Sequence, residues 1–130
     1  MRDIHVTKVV IKKPYEIVWK WLSDPLTYPN IYPFWLSEIK EVGDNLYEGT
    51  GPYGEYKFTL EINQKLGSIN LKIGNESSRT RLFQLDDENT VVIHLAVRWK
   101  DMKNHLSWFF YKRGVNKDFK NAKKIIEKCK

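Results

Sequence analysis

The chain has three histidines, His5, His94 and His105, and one cysteine, Cys129. They are too scattered to read as a metal set, because zinc centres draw on closely spaced pairs and no H-x-x-x-H or C-x-x-C spacing occurs. No G-x-S-x-G, phosphate-cradling P-loop or G-x-G-x-x-G is present. Gly49-Thr50-Gly51 and Gly51-Pro52-Tyr53-Gly54 fit hairpin turns better than phosphate cradles. Asp86-Asp87-Glu88 is the only acidic cluster, and adjacent residues on a turn need not converge on one atom. The sequence therefore assigns no catalytic residue, no metal ligand and no cofactor.

What remains is chemistry of recognition. Arg81 falls beside Phe83 and Leu85 in a period-two pattern, and an inward arginine binds a carboxylate, phosphate or polarised carbonyl through two parallel hydrogen bonds. The alternative places Leu82 inward, with Arg81 solvated or paired with Glu61. Tyr47, Tyr53, Tyr56, Phe58, Trp108, Phe109 and Tyr111 are candidates for a pocket wall or for plain core packing. Ligand pockets are mostly apolar with a few polar groups, and buried tyrosine hydroxyls find partners. Val115 and Phe119 continue the candidate wall along the same helix as Tyr111.

These groups must be held by a helix and a sheet. From His105 to Cys129 the apolar residues Trp108, Tyr111, Val115, Phe119, Ala122, Ile126 and Cys129 recur at gaps of three and four, which keeps one stripe on one side of an α-helix. About 25 residues at 1.5 Å each make a rod of ~38 Å, long enough to cross a small sheet. Cys129 ends the stripe as a small apolar residue. Asp101 or Asn104 would cap the helix.

Upstream, the β-branched run Ile4–Ile11 predicts a first strand. Pro14–Leu22 predicts a short helix opened by proline, with Val18 and Leu22 facing inward and Trp19 and Trp21 on nearly opposite sides. Pro25, Pro29 and Pro33, four apart, require a helical turn and then a tight corner. Strands are then expected over Phe34–Val42, Leu46–Gly49, Glu55–Gln64, Ile69–Ile73, Arg79–Leu85 and Thr90–Lys100, the last being the longest. On that last strand the more apolar set, Val91, Ile93, Leu95, Val97 and Trp99, is expected to face the helix, with His94 and Arg98 outward. Short turns make the six strands an antiparallel meander, and a curved sheet gripping the long helix buries both apolar surfaces.

Composition narrows the role. Hydrophobic residues are 42% and aromatics 14% of the chain, enough for a sizeable core and a wide interior. At 130 residues one domain, 1–130, is expected. No apolar run reaches the ~20 residues of a bilayer span, and Met1-Arg2-Asp3-Ile4-His5 lacks the apolar core of a signal peptide. A lone cysteine allows no internal disulfide and fits a reducing, cytoplasmic compartment. Of the net +6, residues 98–130 carry eleven Lys and Arg against three acids, or +8, which leaves −2 for the rest. The basic outer face of the final helix reads as a solvated surface or as a site for an anionic partner, but no arginine-rich tract or base-stacking motif points to a specific nucleic acid.

The segment Lys13-Pro14-Tyr15-Glu16-Ile17-Val18-Trp19, then Leu22-Ser23-Asp24-Pro25, Tyr28-Pro29 and Trp35, resembles the N-terminal region of the START-like superfamily, also called Bet v 1-like, SRPBCC or polyketide cyclase/dehydrase-like. The long amphipathic helix after the last strand is the second point of resemblance, and together they cover essentially the whole chain. The resemblance implies an α+β helix-grip fold, a curved antiparallel sheet in the order β-α-α-β6-α wrapped around a long C-terminal helix. It also implies a cavity between sheet and helix that usually holds a lipophilic molecule.

On that basis the expected function is binding or carrying a hydrophobic small molecule, lipid-, polyketide- or isoprenoid-like. The expected site residues are Arg81, Phe58, Tyr56, Trp108, Tyr111, Val115 and Phe119, with Arg81 as the polar end. A cyclase or dehydratase, using Glu55, Tyr53 and Arg81 as acid–base groups, is the alternative. The third reading is an interaction module like the superfamily members that resemble activators of a chaperone ATPase.

Overall fold

The computed structural model describes residues 3–99 and 105–129. Seven strands and a long helix appear in the expected order: β1 (Ile4–Ile11), α1 (Tyr15–Leu22), a 3₁₀ turn (Pro25–Thr27), α2 (Tyr28–Ile31), β2 (Glu38–Gly43), β3 (Leu46–Gly51), β4 (Gly54–Asn63), β5 (Ser68–Ile73), β6 (Glu76–Asp86), β7 (Asn89–Val97) and α3 (His105–Lys128). All strands pair antiparallel in one sheet, β1-β7-β6-β5-β4-β3-β2. The meander runs from β2 to β7, and β1 closes onto β7 with Ile4 opposite Val97 and Ile11 opposite Thr90. The predicted caps Asp101 and Asn104, and Lys100 of the last predicted strand, lie outside the described residues.

The proline-rich corner forms for the reason its sequence suggests. Pro14 stands at the N-cap of α1, where a missing N–H costs nothing. Asp24 accepts the Leu26 N–H at 3.0 Å, opening the 3₁₀ turn with Pro25 in its first position. Val18, Leu22 and Trp19 point into the core while Trp21 is only half-buried, as their helical spacing requires. Tyr28 is also buried, and its hydroxyl donates to the Leu22 carbonyl at 2.8 Å, tying the corner back to α1.

Three expectations need correction. Phe34-Trp35-Leu36 does not open a strand. The Trp35 and Leu36 N–H groups both donate to Tyr32 O at 3.0 Å, making a turn, and β2 begins only at Glu38. Aromatic strand propensity loses here to the tertiary packing of Phe34 and Trp35. The longest strand is β6, with 11 residues, rather than β7, with 9.

The third correction is of parity. On β7 the buried positions are Thr90, Val92 and Ala96, with His94 on the same side, so Val91, Ile93, Leu95 and Val97 face outward. On β6 Thr80 and Leu82 point in, and Phe83 and Leu85 point out at 50% and 61% exposure. Both faces of β7 are apolar, so alternation alone does not say which is inside. The smaller set lies inside, and of it His94 lines the space between sheet and helix.

The core gathers where α1, α2 and the C-terminal half of α3 meet the sheet. Ile11, Val18, Leu22, Ile31, Ala122 and Ile126 are all essentially inaccessible. A buried Val or Ile contributes about 1.5–3 kcal/mol. Val18→Asp should therefore cost about 3–5 kcal/mol, because the new carboxylate finds no partner in this apolar surround. Chemical denaturation of the variant is the check, and a near-unchanged midpoint would contradict this packing of α1.

Candidate functional site

A cavity of about 670 Å³ lies between the concave face of the sheet and the N-terminal half of α3. From α3 come Phe110, Tyr111, Gly114, Val115, Asp118 and Phe119. The corner supplies Tyr28, Tyr32, Phe34 and Trp35, and the sheet supplies Tyr56, Leu71, Ile73, Thr80 and His94. The aromatic wall is continuous. Trp35 packs on Tyr56 at 5.8 Å between ring centroids and Tyr32 on Phe119 at 5.2 Å, spacings at which tilted rings attract. A Cβ at Gly114 would meet Phe34 Cβ at 3.8 Å, an ordinary van der Waals contact, so the wall does not require a glycine there.

Of the residues expected from sequence, Tyr56, Tyr111, Val115 and Phe119 line this cavity. Phe58 is fully buried behind the wall, packed against Trp35 at 5.4 Å and Tyr47 at 5.6 Å. Trp108 is buried too and stacks on Tyr111 at 5.8 Å, supporting the wall rather than forming it. Arg81 is not brought to the cavity. It lies on the outer face of β6, donating to Asn70 Oδ1 at 3.0 Å and to Thr80 O at 2.9 Å. The expected polar end is therefore corrected, by the same parity that turns Thr80 and Leu82 inward. Ala122, further along the same stripe, is in the solid core.

Two polar groups of the cavity, Asp118 and His94, are not among the expected site residues. Asp118 is only 5% exposed, although it is a carboxylic acid on a helix. Its Oδ1 accepts the Phe34 N–H at 2.8 Å, which fastens the corner to α3. One bond does not offset the loss of water, so burial pushes the Asp118 carboxyl up to about 7, with the Phe34 bond opposing. A signal for it existed, because Asp118 stands three residues after Val115 and four before Ala122, inside the apolar stripe.

His94, expected at the surface, lines the cavity. Its Nδ1 meets Thr80 Oγ1 at 2.9 Å and its ring packs on Phe119 with centroids 4.8 Å apart. Burial, then the neighbouring His5, lowers its pKa to about 4, so the ring is neutral at pH 7. His5 itself pairs with Asn116 Oδ1 at 2.8 Å, as does the Thr7 hydroxyl. Burial also raises Tyr28, Tyr32, Tyr56 and Tyr111, so these phenols stay protonated. The cavity thus presents hydroxyls, a neutral imidazole and a carboxyl poised between its two forms.

No group of three or more His, Cys, Asp or Glu positioned to hold a metal ion occurs among the described residues. No described helix is long and apolar enough to cross a membrane.

No family model matches the chain, and no curated protein matches its sequence at a significant level. Solved structures do resemble it. The Zhui aromatase/cyclase from Streptomyces sp. R1128 superposes with a TM-score of 0.81 at 16% identity, over 98% of this chain and 94% of that one. Norcoclaurine synthase from Thalictrum flavum, in complex with dopamine and hydroxybenzaldehyde, gives 0.75 at 10% identity over 100% and 89%. A START superfamily protein from Mycobacterium smegmatis gives 0.69 at 11% identity over 95% and 94%. At such identities the likeness is one of backbone, and the chain has the α+β helix-grip fold of START-like and Bet v 1-like proteins.

Proposed function

We propose that this protein binds a mainly apolar small molecule between its sheet and α3, with Asp118 and His94 as the polar anchors. The observation that carries the reading is the 670 Å³ cavity with its aromatic wall. Small-molecule sites typically span about 300–1,000 Å³, with a few polar groups to set orientation. A protonated Asp118 donates to a ligand carbonyl, and Nε2 of His94, the ring nitrogen that Thr80 does not engage, meets a ligand hydroxyl. Lipid-, polyketide- and isoprenoid-like molecules are the classes that fit. The similar folds of an aromatase/cyclase and of norcoclaurine synthase support a site of this kind.

A second reading rests on the protonation states. A carboxyl held near 7 and a neutral imidazole that line the same mainly apolar cavity can serve as general acid and general base. That pairing suits a cyclisation or dehydration of a carbonyl-rich substrate. Asp118→Asn and His94→Gln would then abolish turnover while leaving ligand binding within a few-fold.

An apolar fluorescent probe should bind the wild type near stoichiometrically. Val115→Trp should weaken that binding at least about tenfold by filling the cavity, with little loss of fold; in a solid core the same change would cost about 1–3 kcal/mol by overpacking. Arg81→Met should leave the binding of acidic and neutral probes alike unchanged, since Arg81 is on the far face. A wild type that binds no probe would sink the reading.

The two anchors also predict an unusual pH profile. Asp118 holds a proton in the folded state between pH ~4 and ~7, where the unfolded chain has released it, so its contribution to stability declines as pH rises through that window. His94 does the reverse. Unfolded, it takes up a proton below ~6.5 that the folded ring refuses until ~4, so stability is lost as pH falls. Between about 4 and 6.5 the two slopes oppose each other. Asp118→Asn, which keeps the acceptor for Phe34, should unmask a loss of up to about 1.4 kcal/mol per pH unit toward acid; His94→Gln should unmask a similar loss toward neutrality. Urea midpoints from pH 4 to 8 read both, and parallel profiles for the two variants would contradict the assignment.

A further inference from the structure

The outer face of β7 carries Val91, Ile93, Leu95 and Val97, the larger apolar set of that strand. Strand register continues the surface to both sides. Val6 stands opposite Leu95, Val10 opposite Val91 and Ile4 opposite Val97 on β1, and Phe83 stands opposite Val91 on β6. These flanking side chains are exposed, from 40% at Val10 to 57% at Ile4. Soluble surfaces scatter their large apolar residues, so a contiguous apolar ridge marks a place where something docks. A strand apolar on both faces is also the pattern of one covered on both sides.

The shape and charge of the ridge say what covers it. From Val91 to Val97 it is about 20 Å long at 3.3–3.4 Å per residue, the length of about 14 helical residues at 1.5 Å each. Cations lie on both shoulders: Lys8 is opposite Ile93 on β1, and Arg81 and Arg79 are opposite Ile93 and Leu95 on β6. The two shoulders are two strand spacings apart, about 10 Å, which is the width of a helix. The strand that borders this face, β5, carries no acid, and Glu61 on β4 beyond it pairs with Lys72 at 2.6 Å. A second copy of this face would set Lys8, Arg79 and Arg81 against their own kind.

We propose that the outer face of β1, β7 and β6 docks an amphipathic helix of a partner protein, about 14 residues long, whose apolar stripe is flanked by carboxylates. The helix lies along β7, and its acidic shoulders reach Lys8 on one side and Arg79 and Arg81 on the other. This site is on the opposite side of the sheet from the ligand cavity, so the two are separable by mutation.

The test uses the full chain and two labelled 18-residue helical peptides with the same leucine stripe, one with Glu shoulders and one with Lys shoulders. Fluorescence anisotropy should show the Glu peptide binding at least about tenfold tighter than the Lys peptide, with the preference reduced by salt. Phe83→Asp and Val6→Asp, both at exposed positions, should each weaken the Glu peptide at least about tenfold. Arg79→Glu with Arg81→Glu should invert the preference. Unchanged melting temperatures and unchanged binding of the apolar cavity probe would show that the fold is intact. The proposal is overturned if the wild type binds neither peptide or both equally, or if Phe83→Asp leaves the affinity unchanged. It is equally overturned if Phe83→Asp abolishes a concentration-dependent dimer seen by sedimentation, which would give the face to a second copy. Loss, in the same variants, of binding to phosphatidylglycerol-containing vesicles would give it to a membrane instead.

Discussion

One helix has to cover the concave side of seven strands, and it is too narrow to do so. A helix with its side chains is about 10–12 Å across, whereas seven strands at about 4.8 Å spacing span nearly 30 Å before curvature. The C-terminal half of α3 solves this by direct packing, with Phe119, Ala122 and Ile126 buried against α1, α2 and the sheet. Its N-terminal half stands off, and the proline-rich corner reaches in from the side with Tyr32, Phe34 and Trp35. The cavity is what lies between these two arrangements.

The junction between the packed and the open half of α3 is Asp118. Its bond to the Phe34 N–H ties the corner to the helix at the point where the core gives way to the cavity. The same position removes the carboxyl from water and raises its pKa, so a structural tie and an adjustable proton share one side chain. Across the space, Thr80 and Phe119 hold His94 in a fixed orientation as a neutral ring. Desolvation acts in opposite directions on the acid and the base, and it leaves the site polar without a strong fixed charge.

The outer face follows from the inner one. On its concave side β7 buries Thr90, Val92 and Ala96 and turns His94 to the cavity. The bulkier Val91, Ile93 and Leu95 are displaced to the convex side by strict alternation. A strand apolar on both faces thus presents its bulkier aliphatic groups outward, where they form a ridge between basic shoulders.

Much of this was legible in the residues themselves. The three-and-four spacing from Trp108 to Ile126, the prolines at 25, 29 and 33, and the turn glycines set the helix, the corner and the meander, because periodicity and backbone restriction are local properties. Tyr111, Val115 and Phe119 could be placed on the cavity side for the same reason. Asp118 was readable as a carboxylate inside the apolar stripe. The facing of β6 and β7 was not legible. Both faces of β7 are apolar, so only the three-dimensional requirement for space under α3 turned His94 and Thr80 inward and Arg81 and Phe83 outward. Nor did the aromatic run at Phe34-Trp35 declare a turn, since it becomes one by packing and by the bond to Asp118, 84 residues away. The chain determined its elements and their order through local geometry; which residues share the cavity was decided by the packing of elements distant in sequence, where volume and desolvation outweigh local preference.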